Sequence, residues 1–379
     1  MNFLSLDFLK NVWQKKPLLI RNALPGFVSP LTQDEMAGLA CEEDIESRII
    51  LGSGSEFTAE IGPFEESRFQ HLPETDWTLL IQAVDHYIPE IAQLLASFRF
   101  IPNWRLDDIM ASYAVKGGSV GPHFDNYDVF LIQGAGRRNW SVGQLCDSKS
   151  PRLNNDQVRL LAEYESQQDW TLEPGDILYL PPCYAHWGIS QDDDCITYSV
   201  GFRAPSHGDI LSHFCDYLLP SLCDELRYSD PELLLQEDSG EISAQALAQV
   251  QQILATQVNN SDQIQEWFGR YMTEAKYENH AAEFDPFTTQ ELREELKQTD
   301  TVYRDPASRF AFTNKAQAAI LFVNGLSYSC GKSAAQLLSA HSQYSNTDIL
   351  DLMTLSENEA AIVELFNQGA LYVESGSDD

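Results

Sequence analysis

The spacing of apolar positions changes character twice along the chain. From residue 1 to 205 they gather into short runs bounded by Gly, Pro or Asp: "SRIILG" (47–52), "DVFLIQG" (128–134), "RNWSVGQL" (138–145), "DILYL" (176–180) and "CITYSVGF" (195–202). These runs are β-branched or aromatic and bounded by turn residues, so each predicts a strand. Many short strands without regular helical alternation predict an antiparallel barrel or sandwich. One longer stretch, "TDWTLLIQAVDHYIPEIAQLLASF" (75–98), predicts a helix decorating it. From 206 to 275 the apolar spacing becomes helical, in "DILSHFCDYLLPSLCDEL", "AQALAQVQQILATQV" and "SDQIQEWFGRYMTEA", the last with Ser261 or Asp262 as the expected N-cap. From 276 to 379, "RFAFT", "AAILFVNGLSYSC", "SAAQLLSAH" and "ENEAAIVELFNQGALYVES" mix helices and short strands of the lengths seen in a small winged-helix-like α+β domain. The expected fold is mainly β with α additions: a barrel (1–205), a helical segment (206–275) and a winged-helix-like domain (276–379).

Length agrees with this division, because 379 residues exceed one ordinary core. Charge narrows the partners. Lys and Arg number 24 against 57 Asp and Glu, a formal charge of -33. Phosphate binding needs basic footprints, so direct nucleic-acid binding is not expected, even for a winged helix. From residue 280 onward six basic residues (Arg293, Lys297, Arg304, Arg309, Lys315, Lys332) face fifteen acidic ones. A basic protein partner fits better. Seven scattered cysteines without a CxxC argue against a disulfide framework or structural zinc and predict a reducing cytoplasm. No apolar run approaches the ~18 residues that a membrane span needs.

Candidate chemistry begins at "GGSVGPHFDNYD" (117–128). On a strand, His123 and Asp125 would share a face while Phe124 points away. His186, in "EPGDILYLPPCYAHWG", is the best third ligand, since His207, His213, His280 and His341 lie outside the barrel-like block and His71 and His86 fall in predicted loop or helix. Two His and one carboxylate form the facial triad of non-haem Fe(II) oxygenases. By alternation Arg138, Trp140 and Val142 share a strand face, and an arginine facing an apolar interior needs a carboxylate, such as the distal one of 2-oxoglutarate. Thr197, Ser199 and Gly201 form a small polar face that could add hydroxyl contacts. Each signal is weak alone: His-x-Asp pairs, single histidines and strand arginines are more often structural or surface groups.

In combination, "GPHFDNYDVFLIQGAGRRNW", "LEPGDILYLPPCYAHWG" and "YSVGFRAP", with the opening "FLKNVWQKKPLLIRNALPGF", resemble the bacterial ribosomal oxygenases of the JmjC class, and most of all their arginine hydroxylases acting on the sixteenth protein of the large subunit. The resemblance implies a double-stranded β-helix core (the cupin/JmjC barrel), a helical dimerisation segment and a C-terminal winged helix. It implies Fe(II), 2-oxoglutarate as co-substrate and O2, with His123, Asp125 and His186 on iron and Arg138 on the distal carboxylate. Thr197 and Ser199 lie where relatives supply polar partners, with no choice between them. It further implies hydroxylation of an arginine in a basic large-subunit ribosomal protein, by a homodimer. A carboxylate-lined aromatic entrance would suit that arginine, and Tyr127, Asp128 and Asp108 are the candidates. The competing readings are a metal-binding cupin-type transcriptional sensor, in which Arg138 has no task, a cupin enzyme needing no 2-oxoglutarate, and an oxygenase hydroxylating histidine in another ribosomal protein.

Overall fold

The computed structural model describes residues 6–54, 56–155, 157–277 and 285–374. His280 therefore lies outside the described residues. The chain divides into two compact units, Met1–Ala204 and Pro205–Asp379, so the helical block and the winged-helix block share one unit.

The first unit contains β1 (Leu18–Ile20), β2 (Ser47–Ser53), β3 (Glu56–Ile61), β4 (Trp77–Ile81), β5 (Leu106–Ala114), β6 (Val129–Ala135), β7 (Arg138–Leu145), β8 (Gln168–Leu172), β9 (Ile177–Leu180), β10 (Tyr184–Ser190) and β11 (Cys195–Phe202). Short helices α1 (Leu6–Asn11), α2 (Gln33–Leu39), α3 (Glu66–Phe69) and α4 (Pro89–Leu95) surround them. An eight-stranded sheet runs β1-β9-β6-β11-β5-β4-β2-β3, and a three-stranded sheet runs β10-β7-β8. All of their pairings are antiparallel.

Alternation divides the large sheet into two faces. On β11, Ile196, Tyr198, Val200 and Phe202 enter the outer core with Ile109 and Ala111 of β5 and Phe130 and Ile132 of β6. The opposite parity builds the barrel interior, where Val129, Leu131, Leu178 and Leu180 meet Trp140, Val142 and Leu172 of the small sheet. The large sheet is thus buried on both sides, which is why β6 and β9 read as continuous apolar runs.

The stretch 75–98 is not one helix. Asp76 (φ 64°) and Ala83 (φ 53°) adopt left-handed backbone on either side of β4, and a single helix cannot contain such turns. Trp77, Leu79 and Ile81 are all buried, and β4 pairs with both β2 and β5. Only Pro89–Leu95 is α-helical, with Pro89 in its first turn.

The second unit starts with α5 (His207–Leu218), α6 (Ala244–Val258) and α7 (Ser261–Thr273). Pro220 limits the first of these, and the helix gives way to a single 3-10 turn, Leu219–Ser221. The cap of α7 is Asn260, whose side chain accepts from Gln263 N at 3.3 Å, in place of the expected Ser261 or Asp262. Beyond lie α8 (Thr289–Gln298), β12 (Thr301–Arg304), β13 (Phe310–Asn314), β14 (Ala319–Val323), β15 (Leu326–Cys330), α9 (Lys332–Ala340), β16 (Gln343–Ser345), α10 (Asn346–Leu352), α11 (Ser356–Asn367) and β17 (Leu371–Tyr372). The β13-β14-β15 meander turns at Asn324-Gly325, both with positive φ, as a two-residue hairpin requires. Gly269 of α7 sits against the Phe322 ring so closely that a Cβ would fall 2.3 Å from it.

Candidate metal centre

His123 and Asp125 do not lie on a regular strand. They occupy an extended segment joined to β10 by one bridge, His123 to His186, with two backbone hydrogen bonds of 3.1 and 2.8 Å. Gly121, just upstream, has φ +80°, and a Cβ there would meet Leu160 at 2.4 Å, so glycine is required to bring the segment in. Cys183 N donates to Asp125 O at 2.7 Å and pins the far side.

The result is a cluster of three donors. One ligand atom each from His123, Asp125 and His186 lies within 4.8 Å of the others. Nε2 of His186 is 3.6 Å and Nε2 of His123 4.0 Å from Asp125 Oδ2. Both rings are held from behind: His123 Nδ1 faces Gly121 O and His186 Nδ1 faces Tyr184 O, each at 2.9 Å. A carbonyl accepts only, so each Nδ1 is the protonated nitrogen and each Nε2 presents a lone pair inward. Burial, then the neighbouring His123, lowers the pKa of His186 to about 4, against a partial offset from Asp125. His186 is therefore neutral at pH 7 and ready to ligate without first losing a proton. Two imidazoles and one carboxylate fit a divalent ion with open positions.

The register of β7 places Arg138, Trp140 and Val142 opposite Ser190, Gly188 and His186. All three side chains therefore share the inner face with the ligand histidine. Gly188 makes room, since a Cβ there would fall 2.7 Å from the Trp140 ring. Arg138 is 4% exposed, and its Nη2 has no partner among the described residues. The indole Nε1 of Trp140 is a second buried donor without one. Two orphaned donors in one barrel interior fit an anionic ligand, since leaving both unmet costs about 1–3 kcal/mol each.

The comparisons with known proteins agree with this geometry. A family model described as "JmjC domain" matches residues 93–210, and one described as "ROXA-like winged helix" matches 248–372. The chain is 37% identical over 299 residues to the "Ribosomal protein uL16 3-hydroxylase" of Escherichia coli, 79% of either chain. The chain belongs to the JmjC ribosomal oxygenases. A crystal structure of E. coli YcfD superposes with a TM-score of 0.90 at 32% identity, covering 98% of this chain and 99% of that one. A second, of YcfD with cobalt and 2-oxoglutarate, superposes at 0.86 and 33% identity, covering 97% and 98%. As a JmjC oxygenase, the chain is an Fe(II)/2-oxoglutarate-dependent dioxygenase with a double-stranded β-helix barrel and a C-terminal winged helix.

The remaining expected residues of this oxygenase separate by parity. Thr197 and Ser199 both face the interior, paired with Ser112 and Met110 of β5. Thr197 Oγ1 donates to Gln133 Oε1 at 3.1 Å, whereas the Ser199 hydroxyl has no partner among the described residues. Tyr127 is 42% exposed, and partial burial, then the charges of Asp125 and Asp108, raise the pKa of its hydroxyl. Asp108 is buried on the inner parity of β5 and accepts from Gln82 Nε2 at 2.8 Å. Asp128 must be corrected. It shares the parity of Phe130, is fully buried, and bonds to Tyr179 Oη (2.7 Å), Gln14 Nε2 (2.9 Å) and Arg105 Nη2 (3.1 Å). It anchors the N-terminal segment beneath the sheet and is no part of an entrance. Sequence reasoning missed Trp140 as a donor; the signal was the spacing of Trp140 two residues from Arg138.

Proposed function

We propose that this JmjC oxygenase hydroxylates an arginine side chain of the large-subunit ribosomal protein uL16. The single observation that carries the arginine is a pair of carboxylates, Asp125 and the buried Asp108, that both act on Tyr127. A guanidinium pairs with such a carboxylate bidentately, whereas an imidazole cannot fill that fork. The similarity to the E. coli uL16 3-hydroxylase supports the same substrate protein.

In this reading His123, Asp125 and His186 hold Fe(II). Arg138 grips the distal carboxylate of 2-oxoglutarate, helped by Trp140 Nε1. Ser199 is the better hydroxyl partner, because the Thr197 proton is committed to Gln133. When bound, iron with 2-oxoglutarate and O2 supplies hydroxylation: C–H, 2-oxoglutarate and O2 yield C–OH, succinate and CO2. The protein supplies position and dryness. The ligand rings cannot rotate away from their carbonyl partners, and the apolar interior of Leu131, Val142 and Leu178 excludes water. Asp108 and Tyr127 orient the substrate so that one carbon faces the open metal positions.

The assembly is a homodimer in this reading. None of the residues of α6 is buried, and Leu247, Val250, Leu254 and Val258 expose an apolar stripe at helical spacing, 44% to 61% accessible. A second copy of the same helix covers it. The location is cytoplasmic, in keeping with seven unpaired cysteines. The acidic surface attracts a basic ribosomal protein and not nucleic acid.

The test is aerobic incubation with Fe(II), 2-oxoglutarate and isolated large-subunit proteins, with intact and then fragment mass as the readout. One added oxygen on an arginine of uL16 is expected. Succinate without a modified arginine, or with a modified histidine instead, would remove the arginine assignment.

A further inference from the structure

An arginine has two ways to fork a carboxylate: end-on through both Nη groups, or side-on through Nε and one Nη. In this chain a cysteine stands at the Nε edge of Arg138. Cys195 is the first residue of β11, wholly buried, and pairs with Ala114 on the interior parity of Thr197 and Ser199. Its Sγ lies 3.4 Å from Arg138 Nε. Gln133 Nε2 approaches the same sulfur at 3.4 Å. That amide is itself fixed, donating to Ala135 O at 2.7 Å and Ile196 O at 3.2 Å. The Arg138 guanidinium also lies 5.8 Å from the centroid of the Trp140 ring. The side edge of the guanidinium is therefore occupied and its tilt is set, while Nη2 remains buried without a partner.

We propose that Cys195 is a positioning residue for 2-oxoglutarate: by engaging Arg138 Nε it closes the side-on mode and leaves the Nη end for the distal carboxylate. The inference rests on the assignment of Arg138 made above. Cys195 touches neither metal nor co-substrate and acts through the arginine. Gln133 is the support that holds the sulfur in place, and backbone carbonyls hold Gln133. Removing the sulfur leaves Nε buried without an acceptor and lets the guanidinium turn toward a new partner. Affinity for the dicarboxylate then falls, while the ligands of the metal are untouched.

The experiment is calorimetric titration of the whole Mn(II)-loaded protein without O2, so that binding is read apart from turnover. Two probes are used: 2-oxoglutarate, and 2-oxobutyrate, which keeps the chelating end but lacks the distal carboxylate. In Cys195→Ala, Kd for 2-oxoglutarate is expected to rise about tenfold with Kd for 2-oxobutyrate unchanged. Cys195→Ser, which restores an acceptor, is expected to return 2-oxoglutarate binding to within about threefold of wild type. Should the alanine variant fail to fold, Cys195→Val fills the space without an acceptor and is expected to lose 2-oxoglutarate affinity in the same way. An unchanged Kd for 2-oxoglutarate overturns the proposal, and so does an equal loss for both probes, which would make Cys195 merely a packing residue. Arg138→Ala is the control. If it too leaves 2-oxoglutarate binding unchanged, the assignment of Arg138 has failed, and that outcome is distinct from a silent Cys195 variant beside a damaging Arg138 one.

Discussion

In the proposed site, His123, Asp125 and His186 hold the metal, and carbonyl partners fix the two imidazole rings. His123→Ala or Asp125→Ala is expected to abolish succinate formation while circular dichroism remains native, because both groups are part-exposed and neither fills the core. Native-level turnover in either variant would remove the ligand assignment. Arg138→Ala is expected to raise the 2-oxoglutarate KM by about 10- to 100-fold, the worth of a buried charged hydrogen bond, as steady-state kinetics will read. His186 gives the metal-free protein a pH signature. Its folded pKa is lowered to about 4 from 6.5, so the unfolded chain binds more protons between those values. Stability is complete above pH 6.5 and falls as pH drops toward 4. In His186→Asn the melting temperature is expected to fall less over that window, as calorimetry across pH will show. At this scale alternation paired His123 with Asp125 and placed Arg138 on its face, while His186 was chosen by elimination; the structure brings one ligand atom each of His123, Asp125 and His186 within 4.8 Å. Asp128 was chosen for its charge and not by parity: it shares the face of Phe130 in the outer core, opposite to Val129 and Leu131.

At the scale of elements, the strands of Arg138 and Thr197 were readable, whereas β10, which carries His186, was not predicted. "RNWSVGQL" and "CITYSVGF" coincide with β7 and β11. The stretch 75–98 misled because Trp77, Leu79 and Ile81 are succeeded by apolar residues that also fit helical spacing, and short apolar runs do not distinguish strand from helix. Tertiary pairing with β2 and β5 decided it. The end strand β3 shows another device invisible to periodicity. Asn155 Nδ2 donates to Phe57 O at 2.9 Å, and Gln157 Oε1 accepts from Ala59 N at 3.1 Å, so two side chains stand in for a neighbouring strand. Replacing both with alanine is expected to speed amide exchange at Ala59 about two- to tenfold, the worth of one hydrogen bond. Unchanged exchange would mean that the two amides do not protect the edge.

At the scale of the whole molecule, charge and exposed apolar surface set the partners. A formal charge of -33 and an apolar stripe on α6 have different consequences. The first speeds encounter with a basic protein and weakens with salt. In the proposed homodimer a second copy covers the stripe, so Leu254→Glu is expected to convert a dimer to a monomer in light scattering, with the metal centre still able to bind Mn(II). A wild-type monomer would contradict the homodimer. The three helices of the 206–275 block were legible but the non-helical stretch 222–243 between α5 and α6 was not, and the apolar stripe of α6 leaves the same pattern whether a partner or the chain itself covers it. The central claim is that the His123, Asp125 and His186 cluster activates O2 for insertion into an arginine C–H. Its most direct test is turnover of uL16 under isotopically heavy dioxygen, with mass analysis of both products. One heavy oxygen is expected on the arginine and one in succinate; a hydroxyl oxygen derived from water would contradict the claim.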